Sequence, residues 1–137
     1  MTENSPQECP AGAPRGQGFP RRLRVRRRPE FERAFAQGLR CGDACLTMWA
    51  VPNDLGHARL GLVVGRRFGG AVQRNRVKRL LREAFRLTRH RLPAGLDLLC
   101  APRPGAGISL ADCVQSLTRL AARLEQQLIR RGHGPRP

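Results

Sequence analysis

Two long segments of the chain place their apolar residues at the spacing of an α-helix. In the first, apolar residues from Val77 to Phe85 recur every three or four positions, and Pro93 and Gly95 end the pattern. In the second, Ser109 is a suitable N-cap, and one apolar face then continues for about five turns. The sequence therefore predicts two amphipathic helices. The residues of the second apolar face are Leu110, Cys113, Val114, Leu117, Leu120, Ala121, Leu124 and Leu128.

A shorter helix is predicted nearer the N-terminus. Pro29 suits a first helical turn, acidic residues follow it, and Gly38 is a typical stop signal about two turns later. Phe31 and Phe35 are four residues apart, so they share one face of this helix.

Three segments have the composition of β-strands. Residues 44–52 and 58–65 are separated by a turn at residues 53–56, which predicts a hairpin, and residues 96–101 suit a short buried strand. Strand, helix and strand follow one another over residues 58–101, which predicts a β-α-β crossover unit. The fold class expected is α+β, a small α/β sandwich in which three helices pack on a sheet of about four strands.

The charge of the chain indicates an anionic polymer as its partner. Of 137 residues, 26 are Lys or Arg and 10 are Asp or Glu, which gives a formal net charge of +16. Residues 1–20 are rich in Pro and Gly, so we expect a disordered tail there, a single domain at 21–132 and a short tail at 133–137. No apolar run has membrane-span length and no secretory signal is evident, so a cytoplasmic protein is expected.

The cysteines do not have the spacing of a metal site. Their number is five, and only Cys41 and Cys45 are close, with no second pair beside them. We expect reduced thiols, with Cys100 and Cys113 acting as small core residues.

The helix at residues 74–89 combines its apolar face with a face of a single charge sign. At about 100° per residue, one arc carries six cations and one amide and no acid. A solvated polar face normally mixes signs, whereas a one-sign face on a rigid helix suits contact with phosphates. Arg66 and Arg67 precede it among glycines that would let a polyanion approach closely. The arc consists of Arg74, Asn75, Lys78, Arg79, Arg82, Arg86 and Arg89.

The residues do not indicate a catalytic apparatus. The three histidines are scattered, the acids lack the paired spacing of a metal nuclease, and the glycines near residue 69 do not form a phosphate-loop motif. The chain is therefore expected to bind RNA and to contribute no catalytic residue. Phe31, Phe35 and Trp49 have two interpretations that the residues leave open, as core side chains or as the floor of a groove where unpaired bases stack.

The stretch from Ala71 to Phe85 closely resembles the protein subunit of bacterial ribonuclease P. It contains that family's Arg-Asn-Arg signature at residues 74–76, followed by Lys78, Arg79 and Arg82. Further elements of the resemblance occur in order over about residues 22–130, and they include the two phenylalanines of the first helix, the strand at 60–64 and the segment 97–104.

The resemblance implies a subunit that joins a catalytic RNA and assists removal of the 5′ leader from precursor transfer RNA. Bond cleavage is then carried out by the RNA, with Mg²⁺ bound mainly by that RNA and the substrate, and without a metal site on the protein. The family fold contains an uncommon left-handed β-α-β crossover. In this family a central cleft binds the single-stranded leader through two aromatic residues of the first helix and one of the sheet, which correspond to Phe31, Phe35 and, by spacing, Trp49. The RNA-binding residues that the resemblance implies are Arg74, Asn75, Arg76, Lys78, Arg79 and Arg82. The charge pattern adds Arg66, Arg67 and Arg86 to this set.

The chain departs from the family pattern at a few positions. Gly65 and Gly70 stand where Ser and Asn are common, and Leu46 replaces a frequent Phe. Two other classes of protein share part of the pattern. A ribosomal or other structural RNA-binding protein shares the basic composition but not the ordered motifs, and a self-sufficient metal nuclease would need carboxylates that the spacing does not provide.

Overall fold

The computed structural model describes residues 20–104 and 107–132. The two tails expected from the sequence therefore lie outside the described residues, apart from Pro20. Three α-helices and four β-strands form the fold, with short 3-10 turns at Arg21–Leu23, Arg66–Phe68 and Arg89–Arg91. The helices are α1 (Arg28–Gln37), α2 (Ala71–Thr88) and α3 (Leu110–Arg130). The strands are β1 (Leu39–Gly42), β2 (Leu46–Pro52), β3 (Arg59–Leu62) and β4 (Leu96–Pro102).

The strand order in the sheet is β1-β2-β4-β3, and only β3 and β4 are parallel. The hairpin expected between residues 44–52 and 58–65 is wrong, because β4 lies between β2 and β3. The chain instead turns tightly between β1 and β2, and β1 itself was missed. Leu98 and Leu99 are both completely buried, one on each face of the sheet, which is typical of a strand with neighbours on both sides.

The sheet has a helical layer on each face, which confirms the predicted sandwich of helices and sheet. Alternate residues of β2 point to opposite faces. Leu46 and Met48 join the main core, where α2 and α3 pack around Phe85. Val51 points the other way, into a smaller cluster that includes Ala34 of α1. The parallel pair β3 and β4, joined through α2, is the expected β-α-β crossover, and its left-handedness stays a prediction.

The local signals read from the helical segments are confirmed. The Ser109 hydroxyl accepts a hydrogen bond from the backbone N–H of Asp112 at 3.1 Å, and the Asp112 carboxylate accepts one from the Ser109 N–H at 3.0 Å. Cys100 and Cys113 are completely buried. These contacts fix where α3 begins and place its apolar face on the sheet.

Asp43 ties the β1–β2 turn to α3. Its carboxylate accepts hydrogen bonds from the N–H groups of Cys45 and Leu46, at 2.8 and 2.9 Å, and from Ser116 Oγ and Arg119 Nη2, both at 2.7 Å. Partial burial raises the pKa of Asp43, but these hydrogen bonds outweigh it and hold the pKa well below its usual range. The edge of the sheet at β1 is therefore held in a fixed position.

Candidate nucleic-acid interface

Phe31 of α1 lies against Gly61 of β3 and packs on the smaller cluster, which includes Leu99 of β4. The position of this ring depends on Gly61 of β3. A Cβ at position 61 would lie 3.2 Å from Phe31 Cε1 and 3.0 Å from Val25 Cβ, both closer than an ordinary van der Waals contact. A glycine at position 61 therefore lets the Phe31 ring approach the strand.

Phe35, one turn further along α1, meets Trp49 of β2. The two ring centroids are 4.9 Å apart and the ring planes are perpendicular. Phe35 is 43% exposed, whereas Phe31 and Trp49 are half-buried against the smaller cluster. The structure thus brings the three predicted cleft aromatics together on one side of the sheet, with surface left open to solvent. That they bind a leader stays a prediction.

The cleft continues beyond α1 over half-buried residues of the sheet. Thr47 of β2 and Ala101 of β4 are paired directly, so their side chains share the face that carries Trp49. Arg40 and Arg103, which the sequence did not single out, border this open part. Arg40 was missed because β1 itself was not predicted, and Arg103 because the pairing of β4 with the distant β2 is not visible in a local pattern.

A chain of charged groups fastens α1 to the sheet. Asp97 of β4 is 1% exposed and accepts hydrogen bonds from Arg59 Nε at 2.8 Å, from Arg59 Nη2 at 2.7 Å and from Asn53 Nδ2 at 2.8 Å. Arg59 Nη1 also lies 3.1 Å from Glu30 of α1. The hydrogen bonds to Asp97 raise the pKa of Arg59. These contacts make Asp97 a structural partner of Arg59 and set the position of α1, and with it the two phenylalanines.

The polar face of α2 points away from the core, as its pattern predicts. Val77, Leu81, Ala84, Phe85 and Thr88 are buried. Of the predicted RNA-binding residues, Asn75, Arg76, Arg79 and Arg86 are exposed, and Arg74, Lys78 and Arg82 are half-buried. The structure therefore brings this set together on the outer surface of one rigid helix.

The start of α2 is fixed by two hydrogen bonds to the glycines before it. Gln73 Oε1 accepts one from the N–H of Gly70 at 2.6 Å, and Arg74 Nη1 donates one to the carbonyl of Gly69 at 2.9 Å. Arg66 and Arg67 are exposed in the 3-10 turn just before these glycines. The cationic surface thus begins ahead of the helix itself.

Positive charge accumulates around Arg82. Burial, and then the nearby positive charge of Arg24, lower the pKa of Arg82. Arg24 was not among the predicted site residues, although the run of arginines at residues 21–28 was a signal for it. Arg86 is different, because its guanidinium binds both carboxylate oxygens of Glu83, at 2.9 and 2.5 Å. Arg89 lies beyond α2, in the next 3-10 turn.

The turn that precedes α2 and the open part of the cleft lie at the same end of the sheet. The parallel strands β3 and β4 end at the same edge, so the turn Arg66–Phe68 after β3 and Arg103 after β4 both leave the sheet there. Thr47 lies at the same edge, near the start of β2. The turn that leads into α2 therefore lies at the same end of the sheet as Arg103 and Thr47, whereas α2 itself packs on the face opposite α1.

Neither a metal centre nor a membrane span is evident in these elements. Within residues 20–104 and 107–132, no group of three or more His, Cys, Asp or Glu side chains is placed to hold a metal ion. Among the same residues, no helix combines the length and apolar character needed to cross a bilayer.

Comparison with known proteins gives a consistent result. A sequence model of the ribonuclease P family matches residues 19–125. The ribonuclease P protein component of Methylococcus capsulatus is 39% identical over 105 residues, covering 76% of this chain and 82% of that protein. The corresponding protein of Photobacterium profundum is 38% identical over 109 residues, covering 79% and 92%.

Solved structures agree with the sequence relatives. The ribonuclease P protein from Thermotoga maritima has a TM-score of 0.69 and 31% identity, and the alignment covers 74% of this chain and 97% of that one. The Staphylococcus aureus ribonuclease P protein, at 24% identity and a TM-score of 0.66 over 74% and 94% of the two chains, shares the fold. By its matched sequence and its fold, this chain belongs to the ribonuclease P protein family.

Proposed function

We propose that this chain is the protein subunit of a cytoplasmic ribonuclease P ribonucleoprotein. In this proposal the α2 surface binds the catalytic RNA, and the cleft between α1 and the sheet binds the 5′ leader of precursor transfer RNA. The observation that carries it is that one small fold presents a one-sign helical surface on α2 and an aromatic cluster between α1 and the sheet, with the turn before α2 at the same end of the sheet as the cleft. That arrangement suits two RNA segments held side by side.

The α2 surface supplies affinity and orientation. Guanidinium groups on a rigid helix replace counterions along the RNA backbone, and phosphate contacts of this kind fix position with little dependence on base sequence. The neighbouring charges of Arg82 and Arg24 also favour an RNA partner, because a bound polyanion offsets the repulsion between two nearby cations.

The cleft supplies selectivity for an unpaired strand. A base can stack on an aromatic ring whatever its identity, so the leader would be bound without a strict sequence requirement. The leader is attached before cleavage and leaves afterwards. Leader contacts therefore favour precursor over product and reduce product inhibition.

The proposal gives this chain no bond-breaking step. Its acids at the cleft and on the sheet have structural partners, as Asp97 has in Arg59 and Asp43 in Arg119. In this proposal the metal chemistry does not use a site on the protein. Magnesium bound by the RNA and substrate would supply the metal chemistry of cleavage. The cations of this chain would lower the magnesium concentration needed, by reducing repulsion between two RNAs.

Reconstitution tests the proposal. Precursor transfer RNA is incubated with purified protein, with the catalytic RNA, and with both, across a magnesium titration. We expect no cleavage by the protein alone, cleavage by the RNA alone only at high magnesium, and efficient 5′ processing by the pair at low magnesium. A protein that leaves the magnesium requirement unchanged would favour a structural RNA-binding role, and leader removal by RNA-free protein would show a protein nuclease.

A further inference from the structure

Arg40 extends from β1 onto the face of the sheet that carries the cleft. Leu39 and Cys41, on either side of it, pack against the main core, so Arg40 projects to the opposite face. It lies directly across from Trp49 in the β1–β2 register and is exposed. The edge strand therefore places the Arg40 side chain on the same face of the sheet as the Trp49 indole, directly across from it in the register.

Arg103 reaches the same open part of the cleft from the end of β4. Its backbone N–H donates to the Cys45 carbonyl at 2.8 Å, and its Nε donates to the Asp43 carbonyl at 2.5 Å. These bonds hold the side chain against the β1–β2 turn, and the residue stays exposed. The guanidinium is thus held in place while its remaining N–H groups can face a ligand.

Gly42 provides the space that Arg103 occupies. A Cβ at position 42 would lie 2.9 Å from Arg103 Nη2 and 3.0 Å from the Leu46 carbonyl oxygen. Position 42 is paired with Thr47 of the cleft floor. A side chain at position 42 would therefore push the guanidinium away from this floor.

Neither arginine has a carboxylate partner among the described residues. The nearest acid on this turn, Asp43, already accepts four hydrogen bonds, two of them from Ser116 and Arg119. Arg103 contacts its carbonyl oxygen instead. Arg103 is held in place and Arg40 borders the aromatic pair, and neither charge is neutralised by a nearby acid in the described part of the chain. Positive charge beside aromatic rings is the combination that binds single-stranded nucleic acids.

We propose that Arg40 and Arg103 bind phosphates of the RNA strand whose bases stack on Phe35 and Trp49. This inference rests on the proposed function of the cleft. Arg40 and the Gly42 position are two residues apart, about 7 Å along the strand. The two guanidinium groups would therefore contact different phosphates, each through charge-assisted hydrogen bonds. They fix the path of the leader across the open part of the cleft.

The test measures equilibrium binding of precursor transfer RNA to the reconstituted holoenzyme across a salt series. It compares a long leader with a one-nucleotide leader, for the wild type, Arg40→Gln, Arg103→Gln and the control Arg130→Gln, an exposed arginine in the last turn of α3. Each cleft variant should lower long-leader affinity about three- to tenfold. Each should also make the log–log salt dependence shallower by about 0.7, with short-leader binding unchanged.

A double-mutant cycle tests the role of Gly42. Gly42→Ala should weaken long-leader binding in the wild-type background and add no further loss in the Arg103→Gln background, because it acts by displacing that guanidinium. Thermal unfolding of each variant checks that the fold is intact. Additive losses would show that Gly42 acts by another route and would overturn its assigned role.

Two outcomes distinguish a failure of the arginine assignment from a failure of the proposed leader binding in the cleft. A wild-type holoenzyme that binds both leaders equally would overturn leader binding in the cleft. A wild type that prefers the long leader, with Arg40→Gln and Arg103→Gln behaving like Arg130→Gln, would overturn only the assignment of the two arginines.

Discussion

The ring of Phe35 meets the indole ring of Trp49 edge-on, with the centroids 4.9 Å apart, in a place where Phe35 is 43% exposed. Such a pair is worth about 0.5–1.5 kcal/mol beyond the area it buries. A base stacked on an aromatic ring contributes about 1–3 kcal/mol to binding. If the pair binds RNA as proposed, its edge-on contact contributes no more to folding than one stacked base contributes to binding.

Replacing Phe35 by Ala should separate these two contributions. Affinity for precursor transfer RNA should fall about 5- to 100-fold because the stacking is removed, with binding of mature transfer RNA nearly unaltered. The free energy of unfolding should fall by only about 1 kcal/mol, whereas the buried core residue Phe85 should cost about 3–5 kcal/mol on the same substitution. Equal losses for both RNAs together with a large decrease in Tm would instead make Phe35 a core residue.

Replacing Arg74, Lys78 and Arg82 together by Ala should weaken binding to the catalytic RNA. The log–log salt dependence should become shallower by about 0.7 to 0.9 for each phosphate that the variant no longer neutralises. An unchanged slope in a folded variant would contradict the assignment of α2. The matched control replaces three exposed arginines away from α2, namely Arg123, Arg130 and Arg131.

The ion pair between Arg59 and Asp97 should behave as a buried pair. Asp97→Ala leaves the arginine charge without its main partner and should destabilise the protein by about 3–5 kcal/mol in chemical denaturation. The double variant Arg59→Met, Asp97→Leu removes both charges and should cost less than Asp97→Ala alone. A double variant at least as unstable as the single one would show that the pair itself is a net source of stability.

The lowered pKa of Asp43 predicts a decrease of stability in acid. The folded-state pKa lies below the ordinary value of 3.8, so the ionised carboxylate stabilises the fold fully above that value. This contribution disappears as the pH falls from about 4 through the lower folded-state pKa. Asp43→Asn should reduce Tm at neutral pH and flatten the decrease in Tm below about pH 4. Parallel Tm curves for variant and wild type would contradict the shift.

The sequence alone determined the two long helices and the surface that α2 presents. Helical periodicity is local, so the apolar positions from Val77 to Phe85 and the cations between them are sorted onto faces without knowledge of any partner. The signature at residues 74–76 added the family. The Ser109 cap was visible for the same reason, since a cap depends on residues three apart.

Only the tertiary structure decided which strands are neighbours. Alternation shows which face a residue occupies but not which strand lies beside it, and β3 follows β2 in sequence while β4 separates them in the sheet. β1 was missed because its four residues, which include one arginine and one glycine, are too few to show a clear alternation of apolar and polar positions. The open part of the cleft depends on that strand. The β1–β2 register sets Arg40 across from Trp49, and Arg103 lies beside Gly42 because β4 pairs with β2. Arg103 is 61 residues from Gly42 in the chain, so the folded sheet, and no local property of the sequence, brings these two together.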